Sequence, residues 1–135
     1  EDGSWKRYDA DWRESTYKNY FWMVPYDLQG LIDSIGGKEA AGKRLDEMFR
    51  RLDASYGDEW FASGNEPSFQ IPWIYNWAGA PYKAQQVIRR ILNEQYSSRV
   101  NGLPGNDDLG SMGAWYVFAS IGLFPEIPGV INNLI

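Results

Sequence analysis

Apolar residues recur at helical spacing in successive segments, and glycine or proline separates one segment from the next. This pattern constrains the fold more than any other feature. The clearest segment begins at Pro81, because proline is favoured in the first turn of a helix, and ends near Tyr96. Its apolar face consists of Ala84, Val87, Ile88, Ile91 and Leu92. No stretch of any length alternates apolar and polar residues, so the chain is predicted to be all-α, with helical hairpins in a layered or toroidal array.

Two other predicted helices form a hairpin. Asp27 is a good N-cap residue, and the helix that follows it ends at Gly36–Gly37. A second helix runs from about Lys38 to Asp53, which leaves a very short connection between the two. Before this hairpin, the apolar run Tyr20–Val24 fits a buried strand or a turn of helix equally well. The proline-broken segment Ile71–Trp77 is predicted to lie over a cleft or to fill one.

The stretch Gly102–Phe118 places a tight polar turn directly before a helix. Its glycines and Pro104 surround the adjacent carboxylates Asp107 and Asp108, and such a turn holds side chains at fixed angles. Asp108 or Ser111 is expected to cap the helix. Its apolar face is predicted to consist of Met112, Trp115, Tyr116 and Ala119, with the helix ending at Gly122.

The composition restricts the chemistry that the chain can perform. Its 135 residues carry a formal net charge of -5 and no cluster of Lys or Arg, which argues against nucleic acid as a partner. Cysteine and histidine are absent, so thiolate chemistry, Cys/His zinc sites and Ser-His arrangements are excluded within this chain. Acid and base catalysis would therefore fall to carboxylates. No apolar run approaches the length of a membrane span.

Carboxylates far apart in the sequence lie in surroundings rich in glycine, proline or aromatic residues. They are Glu14, Glu66, Asp107 and Asp108. Paired carboxyl groups cleave glycosidic bonds, and aromatic rings, which make up 16% of this chain, line sugar-binding clefts. Isolated carboxylates are more often helix caps or surface charges, and tryptophans are more often core residues. On the residues alone, a sugar-cleaving site and a plain helical scaffold both remain open.

Several blocks of the sequence, in order, resemble glycoside hydrolase family 92, the calcium-dependent, exo-acting α-mannosidases. The blocks that carry the resemblance are Gly64–Ser68, Pro72–Gly79, Lys83 with Gln85, Gly102–Phe118 and, upstream, residues between Glu14 and Gly37. The similarity extends from about Asp2 to Gly129. It implies hydrolysis of terminal α-linked mannose from glycans, as in N-glycan degradation, with inversion of the anomeric configuration.

The resemblance also implies an architecture and a location. Family members are several times longer and combine an N-terminal β-sandwich with an (α/α)6 barrel. Residues 1–135 therefore resemble a fragment of one (α/α) catalytic domain, a partial (α/α)6 toroid with long cleft-facing loops. The sandwich and the early barrel helices would belong to the missing remainder of a parent chain. We expect that parent to be secreted, periplasmic or at the cell surface.

Catalytic roles follow from the resemblance residue by residue. Glu14 matches the general acid, and Asp108 matches the general base that activates water. Asn106 stands in the same catalytic turn, where many members have a second aspartate. Asp107 occupies the position of a glutamate in that turn and is expected to contact the substrate.

Further substrate contacts and metal ligands are implied for the segment after Gly64. Glu66, Phe69 and Gln70 are expected to bind substrate, and Glu66 and Asn76 are candidate ligands of Ca²⁺. Phe69 and Gln70 replace a histidine-containing pair that contacts the second sugar in many α-1,2-acting members. Because phenylalanine offers stacking where histidine offers a hydrogen bond, α-1,3, α-1,6 and mannosyl-phosphate linkages all remain open.

A second hypothesis is a non-catalytic domain that binds mannosides or another partner on the same scaffold. It rests on the altered residues around Glu14, which include Ser15–Thr16 after the acid and Lys18 in place of a common tryptophan, and on Phe69–Gln70. A further departure is Tyr26, in place of the histidine before Asp27. A third hypothesis is that the fragment alone has no activity, because much of the toroid would be absent.

Overall fold

The computed structural model describes residues 12–55 and 57–127, and within these ranges the fold is helical. The elements in chain order are α1 (Tyr17–Tyr20), α2 (Leu28–Ser34), α3 (Gly37–Met48), a first 3-10 helix (Glu66–Ser68), a second 3-10 helix (Ile71–Asn76), α4 (Pro81–Glu94) and α5 (Ser111–Ile121). An isolated β bridge joins Asp53 and Ala62. The prediction of an all-α chain is confirmed.

The predicted hairpin is formed by α2 and α3. Asp27 caps α2, since its Oδ1 accepts a hydrogen bond of 2.9 Å from the Gly30 amide. Gly36 and Gly37 connect the helices with φ of 104° and 85°, a conformation that favours glycine. The predicted end of α3 at Asp53 is wrong. The helix ends at Met48, whose carbonyl accepts a hydrogen bond from the Phe61 amide, and the chain turns back there.

The segment predicted to lie over a cleft or to fill one forms the second 3-10 helix and lies in the hydrophobic core. Its residues 71 to 75 are all buried, and the helix contacts both α3 and α4. The Tyr75 hydroxyl donates to Asp46 Oδ1 at 2.9 Å, and Lys83 Nζ lies 2.7 Å from Asp46 Oδ2. Burial disfavours the Asp46 carboxylate, but the hydrogen bonds from Lys83 and Tyr75 and the Lys83 charge outweigh it and lower the pKa of this carboxyl. These contacts join α3 to α4 across the core.

The run Tyr20–Val24 does not form a strand, because Tyr20 ends α1 and Phe21 and Trp22 form the turn that follows it. The neighbouring Asn19 is completely buried and joins α1 to two other segments. Its Nδ2 donates to the Trp60 carbonyl at 2.9 Å, and its Oδ1 accepts from Ser68 Oγ at 3.2 Å. Because a buried amide is costly unless its donors and acceptors are used, these contacts fix α1 against the loop before the first 3-10 helix.

α5 begins and ends at glycines in the left-handed conformation, Gly110 with φ of 85° and Gly122 with φ of 79°. The predicted end at Gly122 is confirmed, but the predicted cap is wrong. Neither Asp108 nor Ser111 is the N-cap residue, and Asp107 Oδ1 accepts a hydrogen bond of 3.2 Å from the Gly113 amide instead. Of the predicted apolar face, Met112, Trp115 and Ala119 are buried and Tyr116 is exposed.

Candidate active site

Three consecutive residues, Gly64, Asn65 and Glu66, contact both parts of the chain that carry the predicted acid and base. We call them the bridge segment. Gly64 lies against the turn that leads to Asp108, where a Cβ on Gly64 would be only 2.6 Å from the Pro104 carbonyl oxygen. A Cβ on Gly105 would in turn be 2.5 Å from the Gly64 carbonyl oxygen. Two backbones therefore meet without intervening side chains, and this requires glycine on both sides.

Asn65 contacts the segment of the predicted acid. It is 2% exposed, and its Nδ2 donates a hydrogen bond of 2.9 Å to the Glu14 carbonyl oxygen, 51 positions earlier in the chain. Glu14 itself is exposed and has φ of 62°, which is rare for a residue other than glycine. Ser15 and Thr16, which follow it, are buried. The backbone of Glu14 is thus held by these neighbours, while its side chain is exposed to solvent.

Glu66 contacts the turn of the predicted base through Ser111. Ser111 Oγ lies 3.1 Å from Glu66 Oε1 and 2.8 Å from the Asp107 carbonyl oxygen. The Ser111 amide also donates to the Asp107 carbonyl, at 2.9 Å. A hydroxyl carries one proton, so Ser111 donates to either acceptor but not to both at the same moment. The bridge segment and the turn are in this way connected by side chains as well as by backbone packing.

The turn itself presents Asn106, Asp107 and Asp108 at the surface. Asp108 has φ of 41° and the fully exposed Leu109 has φ of 61°. The Asp107 carboxylate, by contrast, contacts the first turn of α5, which gives it a structural function as a cap. Burial, together with the negative charge of Asp107, raises the pKa of Tyr96. A substrate contact of Asp107 remains a prediction, as does a catalytic function of Asn106.

Three of the predicted substrate-binding residues line one cleft of about 470 Å³. Glu66, Phe69 and Gln70 meet there, and the other residues that line the cleft include Met23, Trp115, Phe118, Phe124 and Glu126. Gln70 Nε2 donates to the Trp22 carbonyl at 2.8 Å, and Trp115 Nε1 donates to the Phe69 carbonyl at 3.0 Å. Burial raises the pKa of Glu126. The cleft walls are mainly apolar, with carboxyl and amide groups at a few points, as in many ligand sites.

Asn76 lies elsewhere. It lines a separate cavity of about 340 Å³ between α4, α5 and the second 3-10 helix, whose lining includes Gln85 and Arg89 but not Glu66. Within the described ranges, no group of three or more Asp, Glu, His or Cys residues is arranged to hold a metal ion. The described residues therefore do not fit a calcium site on their own.

Two residues that connect this region are not predicted by the sequence patterns. Asn65 and Ser111 make the side-chain contacts that connect the bridge segment to Glu14 and to the Asp107 carbonyl. The position of Asn65 between Gly64 and Glu66, within the block Gly64–Ser68 that carries the family resemblance, could have indicated its importance. Of the departures from the family pattern, Lys18 forms an ion pair, in which its Nζ lies 2.6 Å from Glu59 Oε2.

Comparison with known proteins identifies the family. The model of the glycosyl hydrolase family 92 catalytic domain matches residues 1–135. The chain belongs to this family. Among similar proteins, an uncharacterized secreted glycosidase of Arthroderma benhamiae is 34% identical over 120 residues, which is 86% of this chain and 14% of that protein.

Solved structures of family 92 share the fold. A GH92 α-mannosidase from Bacteroides thetaiotaomicron is 38% identical, with a TM-score of 0.81 over 95% of this chain and 17% of the other. A structure of that enzyme in complex with mannoimidazole matches 84% of this chain and 16% of the other, with a TM-score of 0.73 and 38% identity. The chain thus spans about a sixth of these relatives, or less. Among the described residues, no helix is long and apolar enough to cross a membrane.

The contact between Gly64 and Gly105 predicts that alanine destabilises the protein at Gly64 but not at a glycine without close neighbours. In the full-length protein, Gly64→Ala should lower the free energy of unfolding by about 3 kcal/mol, because the new methyl group meets backbone that cannot move aside cheaply. The control is Gly42→Ala inside α3, where a Cβ has no neighbour within 4 Å. It should stabilise by about 0.5–1 kcal/mol. Denaturant unfolding measures both, and equal effects would contradict the close contact.

The backbone conformation of Leu109 predicts that glycine is preferred there. Leu109 and Val100 are both fully exposed, at 110% and 111%, but only Leu109 has positive φ. Leu109→Gly should therefore stabilise the protein by about 1 kcal/mol, since it removes the cost of a left-handed residue. Val100→Gly, the matched control, should be neutral or slightly destabilising. The prediction fails if both variants shift the unfolding midpoint in the same direction and to the same extent.

Proposed function

We propose that this chain is the part of an α-mannosidase that carries the catalytic acid and base. The protein hydrolyses terminal α-linked mannose from glycans with inversion, with Glu14 as general acid and Asp108 as general base. The observation that carries the proposal is the backbone conformation of these two residues. In the described ranges, the non-glycine residues with positive φ are Glu14, Asp108 and Leu109. Two of these three are the acid and base expected from the family resemblance.

Positive φ outside glycine supports a functional assignment because such conformations are unfavourable by about 1–3 kcal/mol each and cluster at active sites. Neither carboxylate has a helix-capping role that would account for its conformation. The capping hydrogen bond of α5 is accepted by Asp107, and the N-cap residue of α1 is Thr16 and not Glu14. Both side chains are exposed, as groups that meet a substrate must be.

The proposed reaction uses the two carboxyl groups on opposite sides of the sugar. Glu14 donates a proton to the glycosidic oxygen while the bond to the anomeric carbon breaks. Asp108 accepts a proton from the water molecule that attacks the same carbon from the other face. An inverting glycosidase separates these carboxyl groups by roughly 6.5–9.5 Å to leave room for the water. The products are mannose of inverted configuration and the shortened glycan.

The cleft beside Glu66 suits the part of the glycan next to the scissile bond. Phe69 offers a ring face for stacking, and Gln70, whose Nε2 is held by the Trp22 carbonyl, offers an amide oxygen. In the proposal, Asn106 and Asp107 contact the sugar from the turn that carries Asp108. Because Phe69 and Gln70 stand where many α-1,2-acting members have a histidine-containing pair, the proposal extends to α-1,3, α-1,6 and mannosyl-phosphate linkages as well as α-1,2.

Calcium dependence is proposed because the chain belongs to family 92. Its chemistry would be that of a Lewis acid that orients sugar hydroxyls. Glu66 is the candidate ligand that lies in the cleft, and the described part of the chain lacks the further carboxylates needed to complete a site. A secreted protein acting in glycan breakdown, such as N-glycan degradation, is consistent with the secreted glycosidase to which the chain is similar.

Substitution of the two carboxyl groups tests the acid and base assignments. In the full-length protein, Asp108→Asn and Glu14→Gln should each lower kcat for a mannobiose by about 10²–10⁴-fold, because each removes one proton-transfer step. Proton NMR of the wild-type reaction should show β-mannose as the first product. Retained turnover in Asp108→Asn would exclude its function as base. Binding of mannobiose by the wild type without release of mannose would favour the non-catalytic alternative.

Removal of calcium provides a separate test. Treatment of the full-length protein with a chelator should lower turnover of the mannobiose by at least about tenfold, and Ca²⁺ but not Mg²⁺ should restore it. The unfolding temperature should rise with added Ca²⁺, since an ion that binds only the folded state stabilises that state. If the chelator changes neither the turnover nor the unfolding temperature, the proposed function of calcium is wrong.

A further inference from the structure

We propose that Asn65 is a positioning residue that holds the general acid in place. The inference rests on the proposed function of Glu14 as acid and extends it to a residue that is not expected to touch the substrate. Asn65 is almost completely buried, and its Nδ2 donates to the Glu14 carbonyl oxygen at 2.9 Å. The side chain of Asn65 thus acts on the backbone of Glu14, not on its carboxyl group.

The hydrogen bond from Asn65 constrains the backbone conformation of Glu14. The direction of a carbonyl group is set by ψ of its own residue, so a fixed Glu14 carbonyl fixes one of the two soft dihedrals at Glu14. The other dihedral, φ, has the unfavourable value of 62°. A residue keeps such a conformation only when its surroundings impose it. Asn65 imposes it from one side, and the buried Ser15 and Thr16 hold the chain on the other.

Asn65 also stands between the two contacts that locate the base. Gly64 packs against Pro104 and Gly105, and Glu66 lies 3.1 Å from Ser111 Oγ. A rigid segment that contacts the acid at its centre and the base turn at both ends determines how far apart the two carboxyl groups stand. Loss of the Asn65 hydrogen bond therefore displaces the acid relative to the base, and a displacement of about 1 Å costs about 10²-fold in rate.

The choice of leaving group separates this function from a general loss of stability. A general acid is needed when the leaving group is a sugar alkoxide and is hardly needed when the leaving group is already stable as an anion. We therefore compare a mannobiose with 2,4-dinitrophenyl α-mannoside. Removing the donor of Asn65 should lower kcat for the mannobiose by about 10²-fold and kcat for the dinitrophenyl substrate by less than about threefold, with KM little changed.

Two variants of the full-length protein carry the test. Asn65→Asp keeps the shape and loses the donor but adds a charge near Glu14, whereas Asn65→Ser shortens the side chain without adding a charge. Both should show the same dependence on the leaving group. Turnover of the dinitrophenyl substrate confirms in the same assay that each variant is folded. If Asn65→Asp does not fold, the dependence of kcat on the leaving group in Asn65→Ser alone tests the proposal.

The controls distinguish a failure of the acid assignment to Glu14 from a failure of the inference about Asn65. Tyr75→Phe removes a hydrogen bond to Asp46 elsewhere in the core and should lower the unfolding temperature without any dependence on the leaving group. Glu14→Gln should show the dependence most strongly. If Glu14→Gln loses activity equally on both substrates, the assignment of the acid fails, and the inference fails with it. If Glu14→Gln discriminates but both Asn65 variants do not, only the inference about Asn65 is overturned.

Discussion

The contact between the backbones at Gly64 and Gly105 is the constraint on which the arrangement of the candidate site depends. Neither position tolerates a Cβ, because each would lie within 2.6 Å of the opposite main chain. Side chains can rotate to relieve a poor contact, but two peptide units in contact have few soft dihedrals with which to do so. The turn that carries Asp108 is therefore placed relative to the bridge segment by the stiffest elements that a protein chain offers.

Two buried amides extend this placement toward the acid. Asn19 connects α1 to the Trp60 carbonyl and to Ser68, and Asn65 connects the bridge segment to the Glu14 carbonyl. Both join residues at least 41 positions apart. A buried amide without partners is costly, so each side chain favours one arrangement of the segments that it joins. The polar residues of this core thus specify geometry, while its aromatic and aliphatic residues contribute most of the burial.

Local sequence signals predicted the elements but not the contacts between them. The helices that follow Asp27 and Pro81 were found because apolar periodicity and capping residues act within a few positions. The end of α3 was missed because the Met48 carbonyl is taken by Phe61, a pairing with no local signature. The cap of α5 was misplaced because Gly110 adopts positive φ and Asp107 reaches the Gly113 amide from further back. The contact of Asn65 with Glu14 spans 51 positions, beyond any local pattern.

The two proposed catalytic residues depend on their surroundings to different degrees. Aspartate is enriched in the left-handed region relative to most other residues, because its short side chain can bond to nearby backbone, whereas glutamate has no such advantage. The turn of Asp108 is also held by glycines and by α5, which begins only three positions later. Glu14 precedes α1 and has its described backbone contact from a single side chain, that of Asn65. The turn of Asp108 thus has several contacts to hold it, whereas the acid depends on one long-range hydrogen bond, and loss of the Asn65 side chain should affect proton donation before it affects activation of water.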